Sequence, residues 1–86
     1  MFTNYRGTFV DGSASLLTST ANAEILGNGN VYGNFIFQPD QICHAYINGS
    51  VNPIYIRAGQ VVSLDSISSL KIQEVGITFT WIGVRI

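Results

Sequence analysis

The chain has 86 residues, of which 47% are hydrophobic and only 10% are charged, and its formal net charge is −1. A chain of this length supports one domain with one core. It contains no run of about 20 apolar residues, which excludes a membrane-spanning helix, and no basic segment followed by an apolar block, so a secretory signal is not expected.

Charged residues are scarce, since ordinary soluble domains carry about 25% of them. Asn, Ser, Thr and Gly together supply 30 residues instead. A surface built from these residues is well hydrated but produces little repulsion between copies of the chain. The composition therefore favours a protein that assembles with identical neighbours over an ordinary β domain with short loops.

Hydrophobic alternation predicts β-strands along most of the chain. The predicted strands lie at residues 14–20, 31–37, 42–47, 54–57, 61–64, 70–73 and 77–86. Residues 1–12 contain aromatic residues and two glycines, which suit an edge strand or an extended arm. Short strands at a spacing of about 8–12 residues indicate a single all-β domain. We predict a β-sandwich or small β-barrel of about seven or eight short antiparallel strands spanning residues 1–86.

Turn sequences separate these strands. Asn48-Gly49 and Asn52-Pro53 predict a hairpin between residues 42–47 and 54–57, because Asn and Gly tolerate positive φ and Pro fixes its own φ. Gly27-Asn28-Gly29-Asn30 is the strongest turn signal. Residues 21–26, before that turn, could alternatively form a helix of barely two turns, with Ser19 or Thr20 as its N-terminal cap.

The last predicted strand, residues 77–86, carries apolar residues on both faces. Ile77, Phe79 and Trp81 alternate with Thr78, Thr80 and further aliphatic residues. Such a pattern is typical of a strand that is buried on both sides. We expect it to lie inside a sandwich or beneath a neighbouring subunit.

No catalytic, cofactor-binding or metal-binding residues are predicted. The single histidine and the single cysteine, His44 and Cys43, are neighbours on a predicted strand, so their side chains point to opposite faces. Metal sites require clustered ligands, and Cys43 has no second cysteine with which to form a disulfide, so we interpret it as a buried apolar residue. Acids such as Asp11, Asp40 and Asp65 stand beside predicted turns, where carboxylates typically cap the backbone.

A nucleic-acid ligand is not expected either. Binding to the phosphate backbone requires clustered positive charge, whereas the four basic residues are spread along the whole chain. A membrane partner is not expected, given the absence of a long apolar segment.

The C-terminal half contains a recognisable order of segments: Asn52-Pro53-Ile54-Tyr55-Ile56-Arg57-Ala58-Gly59-Gln60-Val61-Val62-Ser63-Leu64, then Ser68-Ser69-Leu70-Lys71-Ile72, then Gly76-Ile77-Thr78-Phe79-Thr80-Trp81. A strand ending in Tyr-Ile-Arg, followed by Ala-Gly and a short apolar strand, resembles small virion proteins of tailed bacteriophages, of the capsid decoration (cement) type.

The resemblance implies a non-enzymatic viral structural protein that stabilises a capsid lattice, or a small tail or fibre component. It also implies a homo-oligomer, with a trimer as the best guess, bound to a major capsid or tail protein. Such a protein would be made in the host cytoplasm and would reside in the virion. The residues predicted to contact a partner are Phe2, Tyr5, Phe9, Phe79, Trp81 and Arg85.

A second interpretation is a small carbohydrate-binding module that uses exposed aromatic residues. Trp81 would then be the platform for a sugar ring, and Asn34 or Gln73 would be polar neighbours. The two interpretations differ in the expected response to simple glycans, which should stabilise a sugar binder and leave a cement protein unaffected.

Overall fold

Eight short strands account for the regular structure in the computed structural model, which describes residues 9–26 and 29–86. In chain order they are β1 (Phe9–Gly12), β2 (Leu17–Thr18), β3 (Tyr32–Pro39), β4 (Cys43–Ile47), β5 (Ile54–Ile56), β6 (Val62–Ile67), β7 (Leu70–Ile72) and β8 (Thr78–Arg85). Every pairing between them is antiparallel. The all-β prediction is confirmed, and the arrangement is a two-sheet sandwich.

The two sheets differ in size. The large sheet has the order β1-β8-β3-β6. The short strand β2 also pairs with β8, on the same side as β1 and at the beginning of β8. The small sheet has the order β5-β4-β7. Successive strands cross between the sheets at β3–β4, β5–β6, β6–β7 and β7–β8, so both sheets are tied together along the chain.

Alternation along β3 places the core. Tyr32, Phe35 and Phe37 are buried, whereas Asn34 and Ile36 face outward. The register of β3 against β8 shifts between Gly33 and Ile36, and Asn34 has a φ of 47° at this irregularity. A bulge of this kind moves one residue out of the ladder, which keeps both Tyr32 and Phe35 on the inner face. Buried residues of the small sheet complete the core: Cys43, Ala45, Ile56, Leu70 and Ile72.

Strand β8 is buried on one side only within the single chain. Phe79 is 2% exposed and lies in the core, whereas Ile82 is 48% exposed. Burial of both sides inside the sandwich is therefore contradicted, because no other segment of the described residues forms a second layer over the outer face of the large sheet. Burial beneath a neighbouring subunit stays a prediction. In the single chain the outward aliphatic residues of β8 remain in contact with solvent.

The N-terminal half departs most from the sequence prediction. The strand predicted at residues 14–20 is reduced to β2, and residues 21–26 do not form a helix. Asn22 instead adopts a φ of 55°, and the following residues run along the edge of β7. The Asn22 backbone N–H donates to the Ile72 carbonyl at 2.9 Å, and that of Ile25 donates to the Leu70 carbonyl at 2.8 Å. These bonds satisfy the free edge of the small sheet, which a short helix would not do.

Three other predictions can be compared with the structure. The hairpin is confirmed, since β4 and β5 pair antiparallel and Asn48 and Gly49 both have positive φ. Asp65 lies inside β6, not after a strand as predicted. Of the predicted turn at residues 27–30, the first two residues lie outside the described ranges, and Gly29 has a φ of 81°.

Ser19 fastens the N-terminal segment to the turn before β8. Its hydroxyl donates to the Glu74 carbonyl at 2.7 Å and accepts from the Ile77 backbone N–H at 2.9 Å. Backbone bonds from Ser19 to Ile77 and from Gly76 to Ser19 flank these two. Ser19 is only 5% exposed, so this polar side chain is buried with both its donor and its acceptor satisfied.

Candidate interaction surfaces

The outer face of the large sheet is apolar at its centre. Val10 pairs with Val84, and Ile36 pairs with Ile82, so these four side chains share one side of three neighbouring strands. Val10 and Ile36 are 49% and 40% exposed. We call Val10, Ile36, Ile82 and Val84 the apolar face. Aliphatic residues grouped on an otherwise polar surface mark a contact site more often than isolated ones do.

A cleft of about 250 Å³ runs across the apolar face. Its walls are the four aliphatic residues together with Asn34 and Gly83. Gly83 is required here because a Cβ at this position would stand 3.0 Å from the Tyr32 Cβ and 3.1 Å from the Phe35 ring. The glycine therefore allows the core beneath the cleft to close against β8.

Arg85 and Asp11 lie on the other side of their strands from Val84 and Val10, next to the core residue Tyr32. The Tyr32 hydroxyl donates to Asp11 Oδ2 at 3.0 Å, and Arg85 Nε lies 3.9 Å from the same oxygen. Both charged side chains are partly exposed.

The six predicted partner-binding residues do not form one surface. Phe2 and Tyr5 lie outside the described residues, and Phe9 is described only through its backbone, which pairs with Arg85. Phe79 is buried and packs against Phe37 with ring centroids 5.5 Å apart. It offers no surface to a partner in this fold. Arg85 is partly exposed and lies near Asp11, on the side of β8 opposite to the apolar face.

Trp81 belongs to the inner side of β8. Its ring stacks on Phe35 at a centroid distance of 5.7 Å and meets Tyr32 edge-on at 5.3 Å. Trp81 is half-buried, and its ring faces are engaged by aromatic neighbours of its own chain. Packing of this kind stabilises the core by itself, so the ring is not the flat open platform that a sugar would need.

The outer face of the small sheet carries polar and aromatic side chains. His44 pairs with Tyr55, and Tyr46 pairs with Lys71, while the alternate residues Cys43 and Ala45 are buried. We call His44, Tyr46, Tyr55 and Lys71 the polar face. The prediction that Cys43 is buried and that His44 points the other way is confirmed. Burial also raises the pKa of Cys43 to about 11, with a further contribution from the Glu74 charge, so the thiol stays protonated.

His44 and Glu74 form a tight pair at one end of the polar face. His44 Nδ1 lies 2.6 Å from Glu74 Oε2, and the His44 backbone N–H donates to Glu74 Oε1 at 2.9 Å. Burial raises the pKa of Glu74, but these hydrogen bonds from His44 outweigh it and leave the pKa below its usual range. Within the described residues no hydroxyl or thiol hydrogen-bonds to His44, so a nucleophile has not been placed beside the imidazole.

At the other end of the polar face lies a pocket of about 300 Å³. Its lining residues come from three separate segments of the chain: Asn22, Tyr46, Gly49, Ser50, Ser69 and Lys71. Sequence analysis missed this site. Alternation placed Lys71 on the outward side of its strand, but nothing in the sequence indicated that Tyr46 and Asn22 would stand beside it.

Neither a metal-binding cluster nor a membrane-spanning helix is present in the described part of the chain. In residues 9–26 and 29–86, no three His, Cys, Asp or Glu side chains are grouped in a way that would hold a metal ion. The same part of the chain contains no helix of the length and apolar character needed to cross a bilayer.

Comparison of the chain with protein-family models, with curated proteins and with solved structures produced no match. The features that bear on function are therefore the two outer faces of the sandwich.

Proposed function

We propose that this chain is a non-enzymatic structural protein that self-associates and joins a larger assembly. The phage virion proteins that its C-terminal half resembles suggest the setting: a capsid decoration (cement) protein or a small tail component, located in the virion. The apolar face is the observation that carries the proposal. Three of its four aliphatic residues are exposed in the single chain, and Val84 is partly buried, although Ile36, Ile82 and Val84 lie on the central strands of the large sheet.

A second copy of the chain is the partner that suits this face. Val10, Ile36, Ile82 and Val84 include no charged group, so two such faces can meet without burying an unpaired charge. The net charge of −1 adds little repulsion between copies. Burial of apolar surface contributes about 25 cal/mol per Å², and aliphatic faces of two sheets pack well at about 10 Å. A homo-oligomer follows, for which the phage resemblance suggests a trimer bound to a major capsid or tail protein.

The test is the solution mass over a range of concentrations, measured by light scattering after gel filtration. We expect a concentration-dependent oligomer for the wild type and a monomer for Ile82→Lys, because a lysine in the centre of the contact would bury an unpaired ammonium. Val51→Lys is the matched control, since Val51 is 90% exposed but lies in the loop after β4. This variant should keep the wild-type mass.

Self-association through this face is contradicted if the wild type is monomeric at every concentration. It is equally contradicted if Ile82→Lys and Val51→Lys both retain the oligomer, since the contact would then lie elsewhere. The carbohydrate-binding interpretation based on Trp81 receives no support from the geometry, because that ring is packed against Phe35 and Tyr32.

A further inference from the structure

The pocket on the polar face is assembled from segments that are distant in the sequence. Tyr46 and Lys71 pair across β4 and β7 and form its floor. Asn22, whose backbone is hydrogen-bonded to Ile72, forms one wall. Gly49 and Ser50, in the loop after β4, form the opposite wall. The pairing of β4 with β7 positions Tyr46 and Lys71 without a ligand, and the backbone hydrogen bond to Ile72 positions Asn22. Such preorganisation favours binding.

Three of the lining side chains have unused hydrogen-bonding capacity. The Asn22 amide, the Tyr46 hydroxyl and the Lys71 ammonium make no hydrogen bond to any other part of the described chain. The Ser50 hydroxyl accepts from the Ile47 backbone N–H at 3.1 Å, which leaves its own proton for a further partner. The pocket therefore presents several donors and an amide oxygen around one aromatic side chain.

The charge around the pocket is nearly balanced. Glu24 and Lys71 are partners in an isolated antiparallel β-bridge, which places the carboxylate of one residue near the ammonium of the other. Glu24 is held at the rim by the Ser69 hydroxyl at 2.6 Å and by the Leu70 N–H at 2.8 Å. A doubly charged anion such as phosphate would meet this carboxylate as well as the lysine. An uncharged ligand rich in hydroxyl groups would meet donors and acceptors only.

From this arrangement we infer that the pocket binds a neutral saccharide. The sugar hydroxyls would bond to the Asn22 amide, the Lys71 ammonium and the hydroxyls of Ser50 and Tyr46, and the C–H face of the ring would pack on the Tyr46 ring. A volume of about 300 Å³ lies at the small end of the range for ligand pockets, which suits one sugar unit. The proposal does not depend on self-association, because the polar face and the apolar face belong to different sheets.

The experiment is an NMR titration of the ¹⁵N-labelled protein with the methyl glycosides of glucose, galactose, mannose and N-acetylglucosamine. We expect at least one of them to shift the amide resonances of residues 46–50 and 69–71 with a millimolar Kd. Lys71→Met keeps the length of the side chain but removes its donors, and it should weaken that binding about tenfold. Asn22→Gly removes the amide while accommodating the φ of 55°, and it should weaken binding several-fold.

The asparagine and tyrosine substitutions each have a matched control within the same chain. Asn34→Gly changes another asparagine with positive φ, but on the large sheet. Tyr55→Phe removes a tyrosine hydroxyl from the same polar face but outside the pocket, and Tyr46→Phe removes the one inside it. Asn34→Gly and Tyr55→Phe should leave the Kd unchanged, whereas Tyr46→Phe should raise it.

Inorganic phosphate is titrated in parallel. Shifts at residues 46–50 and 69–71 with phosphate and with none of the glycosides would identify an anion site and overturn the saccharide proposal. The absence of shifts with all probes would overturn it too, as would glycoside shifts confined to other parts of the surface or an unchanged Kd for Lys71→Met. The oligomer mass of each variant is recorded alongside, so that failure of this proposal is distinguished from failure of self-association.

Discussion

The two outer faces of the sandwich are built by the same alternation but have opposite chemistry. On the large sheet the outward side chains at the centre are aliphatic, as at Ile36 and Ile82. On the small sheet they are aromatic, cationic or hydrogen-bonded to a carboxylate, as at Tyr46, Lys71 and His44. Between them lies one shared core. The inward residues therefore form the core that both sheets share. The outward residues are not constrained by that core, and their chemistry differs between the two sheets.

The largest expected effect separates inward from outward residues on one strand. Phe35 is fully buried and its neighbour Ile36 is 40% exposed. Phe35→Ala should lower the free energy of unfolding by about 3–5 kcal/mol, since it removes a buried ring and leaves a cavity. Ile36→Ala should lower it by less than about 1 kcal/mol in the monomer. The measurement is urea denaturation followed by the fluorescence of Trp81, whose ring lies on Phe35.

This comparison is made at a protein concentration below that at which copies associate. Equal effects of Phe35→Ala and Ile36→Ala would contradict the division into inward and outward residues. If Ile36→Ala has a large effect only at high concentration, the lost stability belongs to the contact between copies, since association adds to apparent stability by mass action.

The next effect concerns the Ser19 hydroxyl, which is hydrogen-bonded to the segment that joins β7 of the small sheet to β8 of the large sheet. Ser19→Ala would leave the Ile77 N–H and the Glu74 carbonyl without the hydroxyl that they share. We expect the free energy of unfolding to fall by about 1–3 kcal/mol, because buried polar groups are costly when unpaired. Ser63→Ala is the control, since Ser63 is exposed on the large sheet and its hydroxyl makes no hydrogen bond to the described residues. A small loss for Ser19→Ala, similar to that of Ser63→Ala, would mean that water replaces the hydroxyl.

Much of the fold could be predicted from the sequence because the alternation is strong where strands are long. The strands of the C-terminal two thirds lie close to their predicted positions, and the hairpin between β4 and β5 was identified from its turn residues. Residues 14–26 were harder, because their conformation is set by the edge of β7. The backbone of Asn22 and Ile25 pairs with residues almost fifty positions later in the chain, and no local pattern encodes such a partner.

The candidate surfaces show the same limit. The aliphatic residues of β8 could be identified from the sequence. Whether Trp81 faces the core could not, because a strand with apolar residues on both sides can turn either side inward. The pocket on the polar face requires Asn22, Tyr46 and Lys71 to meet. Their meeting depends on the order of strands in the small sheet, and sandwiches with different strand orders share the same alternation.

The smallest expected effect compares the acid sensitivity of the two faces. Burial raises the pKa of Glu24, but hydrogen bonds from Ser69, Leu70 and Leu26 outweigh it and lower the pKa below its ordinary value of 4.5. The pKa of Glu74 is lowered as well, and both carboxylates belong to the side of the small sheet. A carboxylate with a lowered pKa in the folded state contributes stability above its unfolded pKa, and this contribution is lost as the pH falls through the folded pKa.

Wild-type stability should therefore be constant near neutral pH and decline as the pH falls below 4.5. Glu24→Gln should lower the free energy of unfolding at pH 7 by about 1 kcal/mol or less, since the group is partly exposed and screened, and it should flatten the acid decline. Asp65→Asn, on the edge strand of the large sheet, is the control: the Asp65 carboxylate makes no hydrogen bond to the described residues, so its decline should follow the wild type. Urea denaturation at a series of pH values measures all three proteins. The opposite result would be an acid-induced loss of stability that persists in Glu24→Gln and disappears in Asp65→Asn. The acid-sensitive contacts would then lie on the large sheet, which would contradict their assignment to the small sheet.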